Sequence, residues 1–322
     1  MKTQNISIIG VRRMGTSIAL ALKDGPLDFV LTGHDSDPSI LKEAGELGCF
    51  DKTESNLIRA AETADILVLS MPAVELKTTL QAIGDVVKPH ALIIDLTELK
   101  SPGVKLAEQY LNQGHYVGAH PVLAARNFAD GRPDTNKARA DLFKNSVICV
   151  MPDATVDPQA VETAVNFGKL LGASPYFVDP MEYDSLIQGV ETLPSLMAAA
   201  LFRSINKASG WRDILRFADL PFAMSTMPLD TDAEELAYLA LNDRVATLRW
   251  LDALVVELGQ IRRWIQDGDE ELLSAFFSEL NLDRDRWLEE RAKNDWVEGQ
   301  DQPVNVPGMG ERFFGGLARR SG

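Results

Sequence analysis

Two cysteines in 322 residues, Cys49 and Cys149, leave little room for a disulfide framework or a thiolate metal site. Both sit in or beside apolar runs and read as reduced core thiols. No metal is expected. Positive charge is also scarce. Thirty-two lysines and arginines against 47 aspartates and glutamates give a net charge of −15, which argues against non-specific binding to nucleic acid or to an anionic membrane. No apolar run reaches the roughly 18 residues of a membrane span, and no signal peptide precedes the first strand pattern. A cytoplasmic protein is the expectation. Histidine is rare too: only four occur, so imidazole chemistry has few candidates.

What remains is an ordinary globular composition, 45% apolar and 25% charged, in a chain long enough for two domains. The first 180 residues alternate short apolar runs with amphipathic stretches. Strands are expected at 6–10, 29–35, 64–72, 91–97, 116–121, 146–152 and 176–180, and helices at 15–25, 38–48, 74–87 and 157–172. Continuous apolar strands separated by helices predict an α/β domain with a doubly wound, mostly parallel sheet covered on both faces. After Pro180 strand signals stop. Apolar residues recur at helical spacing over 185–208 and 233–266. The second stretch is long for a helix in a compact monomer, which predicts an all-helical second domain, 181–285, that pairs with a copy of itself. The polar residues 286–322 read as a tail.

The turn after the first strand, "GVRRMGTS" (10–17), has the context of a dinucleotide-binding fingerprint. Gly10 allows the tight turn, Gly15 lets the helix pack on the strand, and the helix N-terminus offers N–H groups to a pyrophosphate. Asp35, ending the second strand, suits the adenine ribose hydroxyls and repels a 2′-phosphate, so NAD is expected over NADP. Met14 in the turn, and Met71 and Pro72 ending the next strand, complete the expected cofactor contacts. Arg12 stands where the second glycine belongs. Its guanidinium either pairs with the phosphates or fills the space they need. Two later segments, "DLTELK" (95–100) and "GAHPVLA" (118–124), lie at carboxyl ends of strands, where open parallel sheets bind ligands. His120 there is a candidate general base. His34, His90 and His115 read as solvated or structural.

The order of "IIGVRRMGTSIALALK", "ADILVLSMPAVELKTTL", "DLTELK", "GAHP", "LFKNSVICVMP", "LGASPYFVDPMEYD", "LPSLMAAAL" and "GWRDILRFA" resembles the prephenate and arogenate dehydrogenases, to about residue 280. The resemblance implies a nucleotide-binding domain followed by a helical dimerisation domain, in an enzyme of tyrosine biosynthesis. It implies oxidative decarboxylation of a cyclic diacid, with hydride passing to NAD(P). It assigns His120 as the catalytic base and matches Lys100 to a lysine of the site. Arg216 then suits a substrate carboxylate, and Asn242 and Thr192 fall at substrate-side positions. The departures are local. Glu98 replaces the usual serine and is expected to hydrogen-bond His120. "SHLPH" has become "ETLPS" (191–195), "HD" has become Tyr183–Asp184, and "MAG" has become "VLA" (122–124). Such changes leave open an altered substrate, another small hydroxy acid, or a non-catalytic ligand-binding relative.

Overall fold

The structure, a computed structural model, describes residues 4–128 and 137–293. Eight strands form its centre: β1 (Gln4–Ile9), β2 (Phe29–His34), β3 (Lys52–Thr53), β4 (Ile66–Leu69), β5 (Leu92–Asp95), β6 (His115–Val122), β7 (Val147–Pro152) and β8 (Ser174–Phe177). They make one sheet in the order β3-β2-β1-β4-β5-β6-β7-β8. Every neighbouring pair is parallel except β6 and β7, which run antiparallel. The expected strands are all present, and the two-residue β3 is the one addition.

The strands are apolar on both faces because helices cover both. Every residue of β4 and β5 is buried. The covering helices are α1 (Arg13–Lys23), α2 (Pro38–Glu46), α3 (Leu57–Glu62), α4 (Leu76–Ile83), α5 (Ser101–Tyr110) and α6 (Pro158–Leu170). Their starts follow simple chemistry. Asp37 and Asp157 each stand before a proline at the first helical position, and each side chain accepts the backbone N–H two residues on, from Ser39 at 2.8 Å and Gln159 at 2.7 Å. Strand order reverses at β1, which lies between β2 and β4. That arrangement opens a crevice beyond their carboxyl ends.

From Pro180 the described chain is helical. Helices α7 (Pro180–Ile187) and α8 (Leu193–Asn206) join through a π-helical turn, Gln188–Thr192. The continuous helix Pro180–Asn206 has the length and composition of a membrane-spanning segment, with mean hydropathy 1.3 over its most apolar window, and 28% of that window is buried in the chain. The sequence, read as runs of apolar residues, shows no such segment, because polar residues that pack inside the chain interrupt it. Two short helices follow, α9 (Trp211–Ile214) and α10 (Leu220–Thr226), then α11 (Ala233–Asn242), α12 (Arg244–Asp267) and α13 (Glu270–Lys293).

Two expectations change here. The stretch 233–266 is not one helix. Asp243 leaves helical geometry at φ −127°, ψ 71°, and its carboxylate caps the N–H of Ala246, starting α12 afresh. Helix α13 runs to Lys293, into the residues read as a tail. Its end is held by Trp287, stacked on Phe128 with centroids 5.7 Å apart, and by Arg291, whose guanidinium bonds the Leu123 carbonyl. The rest of that tail, 294–322, lies outside the described residues. Apolar side chains of the helical half face solvent in a single chain, Val245 (82% exposed) and Phe217 (83%) among them.

Candidate functional site

The crevice at the end of β1 is a cleft of about 280 Å³ lined by Gly10, Arg12, His34, Asp35, Met71, Pro72 and Glu75, among others. Gly10 has φ +88°, and a Cβ on it would lie 2.2 Å from the Ser70 carbonyl oxygen. No other residue fits this turn. A Cβ on Gly15 would lie 2.0 Å from the Gly10 carbonyl oxygen, so α1 sits directly against the turn. Asp35 accepts N–H bonds from Val11 and Asp37, each at 3.0 Å, which fix its carboxylate at the cleft. Arg12 is the N-cap of α1, is exposed, and makes no side-chain capping bond. Among the described lining residues it is the only lysine or arginine. Around it stand Asp35, Glu75 and Asp37, and its charge acts on the carboxyls of Glu75 and Asp37. Burial, with the charges of Asp35 and Glu235, pushes the Glu75 carboxyl up.

Met14 departs from its expected place. It packs on the hydrophobic core and does not line the cleft, because α1 turns that position toward the sheet. His34 lies at the cleft, buried, with Nδ1 2.7 Å from the Glu54 carbonyl oxygen, a structural contact.

The second cluster surrounds His120 on β6. Its side chain is 15% exposed. Nε2 lies 3.6 Å from Glu191 Oε1, Nδ1 is buried without a hydrogen-bond partner, and the ring faces Tyr183 at 5.5 Å and 47°. Cys149 pairs with His120 across the β6–β7 ladder, and burial pushes its thiol up to about 11, so it stays protonated. Burial also pushes the Tyr183 hydroxyl well above its ordinary range.

Glu98 does not bond His120 as expected. It shares a hydrogen bond with Glu235 of α11, leaving its Oε2 buried and without a partner. Burial, the charges of Glu235 and Glu191, and that shared bond push the Glu98 carboxyl up to about 8. Glu98 is therefore the protonated member of the pair at neutral pH. Glu235 is buried and accepts the N–H groups of Ala73 and Val74, both at 2.9 Å. The helical half thus holds the segment directly after Met71 and Pro72.

Lys100 is fully buried. Its Nζ donates to the carbonyls of Asp95 and Thr97 and lies 3.8 Å from the Asp95 carboxylate. The β5–α5 loop closes around the ammonium, which also lies 5.9 Å from the centroid of the Tyr183 ring that faces His120. Asp184 accepts the backbone N–H groups of Lys100 and Ser101, both at 2.7 Å, and ties that loop to α7.

The chain does not gather the substrate-side residues expected from sequence. Thr192 is buried in the π-helical turn, near the cluster. Arg216 is exposed, with Asp213 at 3.8 Å as its ion-pair partner one turn earlier. Asn242 is exposed and spends its amide on the Tyr238 carbonyl of its own helix, at 2.8 Å. Among the described residues, no three His, Cys, Asp or Glu side chains form a metal site.

Residues 18–176 match the family model described as the nucleotide-binding domain of prephenate dehydrogenase. A cyclohexadienyl dehydrogenase of Zymomonas mobilis is 23% identical over 281 residues, covering 86% of this chain and 93% of that protein. A prephenate dehydrogenase of Lactococcus lactis is 26% identical over 291 residues, covering 86% and 75%. In fold, the chain is similar to the prephenate dehydrogenase of A. aeolicus, solved with hydroxyphenyl propionate and NAD+, with TM-score 0.78, 19% identity, and coverage of 89% of this chain and 99% of that one. It is also similar to the Synechocystis arogenate dehydrogenase, with TM-score 0.67, 21% identity, and coverage of 88% and 99%.

Proposed function

We propose that the chain is a prephenate/arogenate dehydrogenase, as its match to that family's nucleotide-binding domain and its similarity to curated members support, and that it oxidises prephenate or arogenate with NAD, using His120 as the base. The observation that carries this reading is His120 itself. It is a partly exposed imidazole near the end of β6, with Nε2 facing a carboxylate and Nδ1 buried without a protein partner.

The cleft suits the dinucleotide. The Gly10 turn brings bare backbone to the place a Cβ would fill, and α1 begins there with no side chain claiming its first N–H groups. Asp35 is held where the adenine ribose binds in this fold. Arg12 is exposed beside the cleft, not packed into its floor. It therefore serves as the counter-charge to the pyrophosphate in a cleft otherwise lined by acids.

When bound, the nicotinamide supplies the hydride acceptor. His120 takes the proton of the ring hydroxyl while hydride leaves the carbon that bears it. The ring carboxylate departs as carbon dioxide, and its bonding electrons complete the aromatic ring. Tyr183 and Cys149 stay neutral beside the base and set the face of the imidazole. Lys100 and Asp184 act through position, holding the β5–α5 loop that carries Glu98. The exposed apolar faces of α8 and α12 are covered, in this reading, by a second copy of the chain.

The test is nicotinamide reduction by the purified full chain with prephenate and with arogenate. Cofactor reduction that depends on either substrate is the expected result. No reduction with either, at high enzyme concentration, would overturn the reading in favour of a non-catalytic ligand-binding relative. The changes at Thr192 and Ser195, where two family histidines are missing, would then be the places to look.

A further inference from the structure

We propose that Glu235, on the helical half, is a positioning residue for the cofactor: its carboxylate holds the turn after Pro72 in the shape the dinucleotide cleft requires, so the cleft is complete only with α11 docked. The inference rests on the reading of that cleft as the NAD site.

The first observation is where the carboxylate lies. One wall of the cleft is a single stretch of chain that contributes Ser70, Met71, Pro72, Glu75, Thr78 and Thr79. Ala73 and Val74 stand in the middle of it, and these are the two residues that Glu235 grips. Its Oε1 accepts the Ala73 N–H and its Oε2 the Val74 N–H, both at 2.9 Å. Each oxygen thus has a donor of its own. Glu235 is not among the described lining residues of the cleft, so it acts on the wall and not on the ligand.

The second is that nothing local does this work. Ala73–Glu75 is a 3₁₀ turn that runs directly into α4. The first N–H groups of such a helical stretch have no partner within it. Pro72, the residue before the turn, supplies no side-chain capping bond. Ala73 and Glu235 are both buried, so bulk water does not replace the carboxylate. An anion at this end also meets the positive end of the helix dipole.

The third is that the carboxylate is itself firmly placed. Glu235 lies in the first turn of α11, where Asp232 caps the helix by accepting the N–H groups of Glu234 and Glu235, at 2.8 and 3.2 Å. One turn on, Leu239 is buried in an apolar cluster with Ala73 and Leu99. That contact seats α11 against the turn after β4 and against the β5–α5 loop. Glu98, on the same loop, shares its hydrogen bond with Glu235. One carboxylate of the helical half therefore ties down two loops of the sheet, one of them a wall of the cofactor cleft.

The test uses the full chain as wild type, Glu235→Ala and Glu235→Gln. Alanine loses both N–H bonds, whereas glutamine keeps one oxygen to accept an N–H. The amide proton shifts of Ala73 and Val74, measured by NMR without NAD, read the hold on the turn. Both are expected to move upfield in Glu235→Ala as the charged acceptor is lost, while the amides of β1 and β2 keep their positions. Calorimetric titration with NAD, well below the thermal midpoint, then reads the folded protein alone. Affinity falls with the fraction of molecules whose wall keeps its shape, so Glu235→Ala is expected to bind NAD about tenfold more weakly, with Glu235→Gln between it and wild type.

Unmoved Ala73 and Val74 shifts would overturn the proposal, because Glu235 would not be what holds the turn. Moved shifts with wild-type NAD affinity would also overturn it, because the shape of the turn would not serve the cofactor. Should Glu235→Ala fail to fold, Glu235→Gln carries the same two readouts. Absence of NAD binding by the wild-type chain would refute the NAD reading of the cleft and this proposal with it. The cofactor-free shifts separate that failure from a failure of Glu235 to hold the turn.

Discussion

His120→Asn is expected to lower kcat by about 10³- to 10⁴-fold, with NAD affinity and the thermal midpoint near those of the unmodified protein. Removing a positioned general base costs about 10² to 10⁴ in rate, and this ring is the partly exposed imidazole of the cluster. Asparagine keeps a polar side chain of smaller but similar reach at a site already 15% exposed, so little packing is lost. The neighbours Tyr183 and Cys149 are held by their own burial and by the β6–β7 ladder, and remain in place. The cofactor cleft is lined by other residues. Steady-state kinetics and a cofactor titration check both halves. Unchanged kcat would mean that another group takes the proton, and lost cofactor binding would mean that His120 supports the fold.

Fold stability is expected to fall as pH rises from about 4.5 to about 8, and Glu98→Gln to flatten that slope. Glu98 ordinarily titrates at 4.5 and in the folded protein at about 8, because it is buried against Glu235 and Glu191. A carboxyl whose folded pKa is raised binds a proton in the native state that the unfolded state releases. Its contribution is fully present below about 4.5 and is lost as pH climbs to about 8. The slope is at most about 1.4 kcal/mol per pH unit for one proton. Glutamine keeps the donor to Glu235 and has no proton to lose. Urea midpoints across this range, for both proteins, read the difference. Since Glu235 also holds the N–H groups of Ala73 and Val74, wild-type NAD affinity is expected to weaken over the same interval. Parallel slopes in wild type and Glu98→Gln would show that the Glu98–Glu235 bond does not control stability.

The parts of this molecule that sequence made legible are those written in local pattern. Continuous apolar runs marked β1, β4 and β5 because both faces of the sheet are covered. Gly10 and Gly15 announced the cofactor turn because a Cβ at either would strike backbone. What stayed hidden depends on distant partners or on a small shift of phase. Sequence pairs Glu98 with His120 because the family's serine lies there, whereas its partner Glu235 comes from a helix 137 residues later. Glu191 is aimed by a π turn, which no 3.6-residue periodicity reveals. The break at Asp243 follows from one capping bond inside an unbroken helical pattern. The far end of helix α13 looks like tail because its surface is charged, and the contacts that hold it, Trp287 on Phe128 and Arg291 on the Leu123 carbonyl, are made to distant residues. Lys100 was recognisable as part of the site, but its burial beneath the loop was not.

Calorimetric titration of the full chain with NAD and NADP, repeated on Arg12→Gly, tests the central claim most directly. The chain is expected to bind NAD, and NADP more weakly because Asp35 repels a 2′-phosphate. Arg12→Gly is expected to weaken NAD by about 10- to 100-fold, the worth of a charge-assisted hydrogen bond. No binding by the unmodified chain, with binding appearing in Arg12→Gly, would show that Arg12 fills the pyrophosphate site and would contradict a nicotinamide-dependent dehydrogenase.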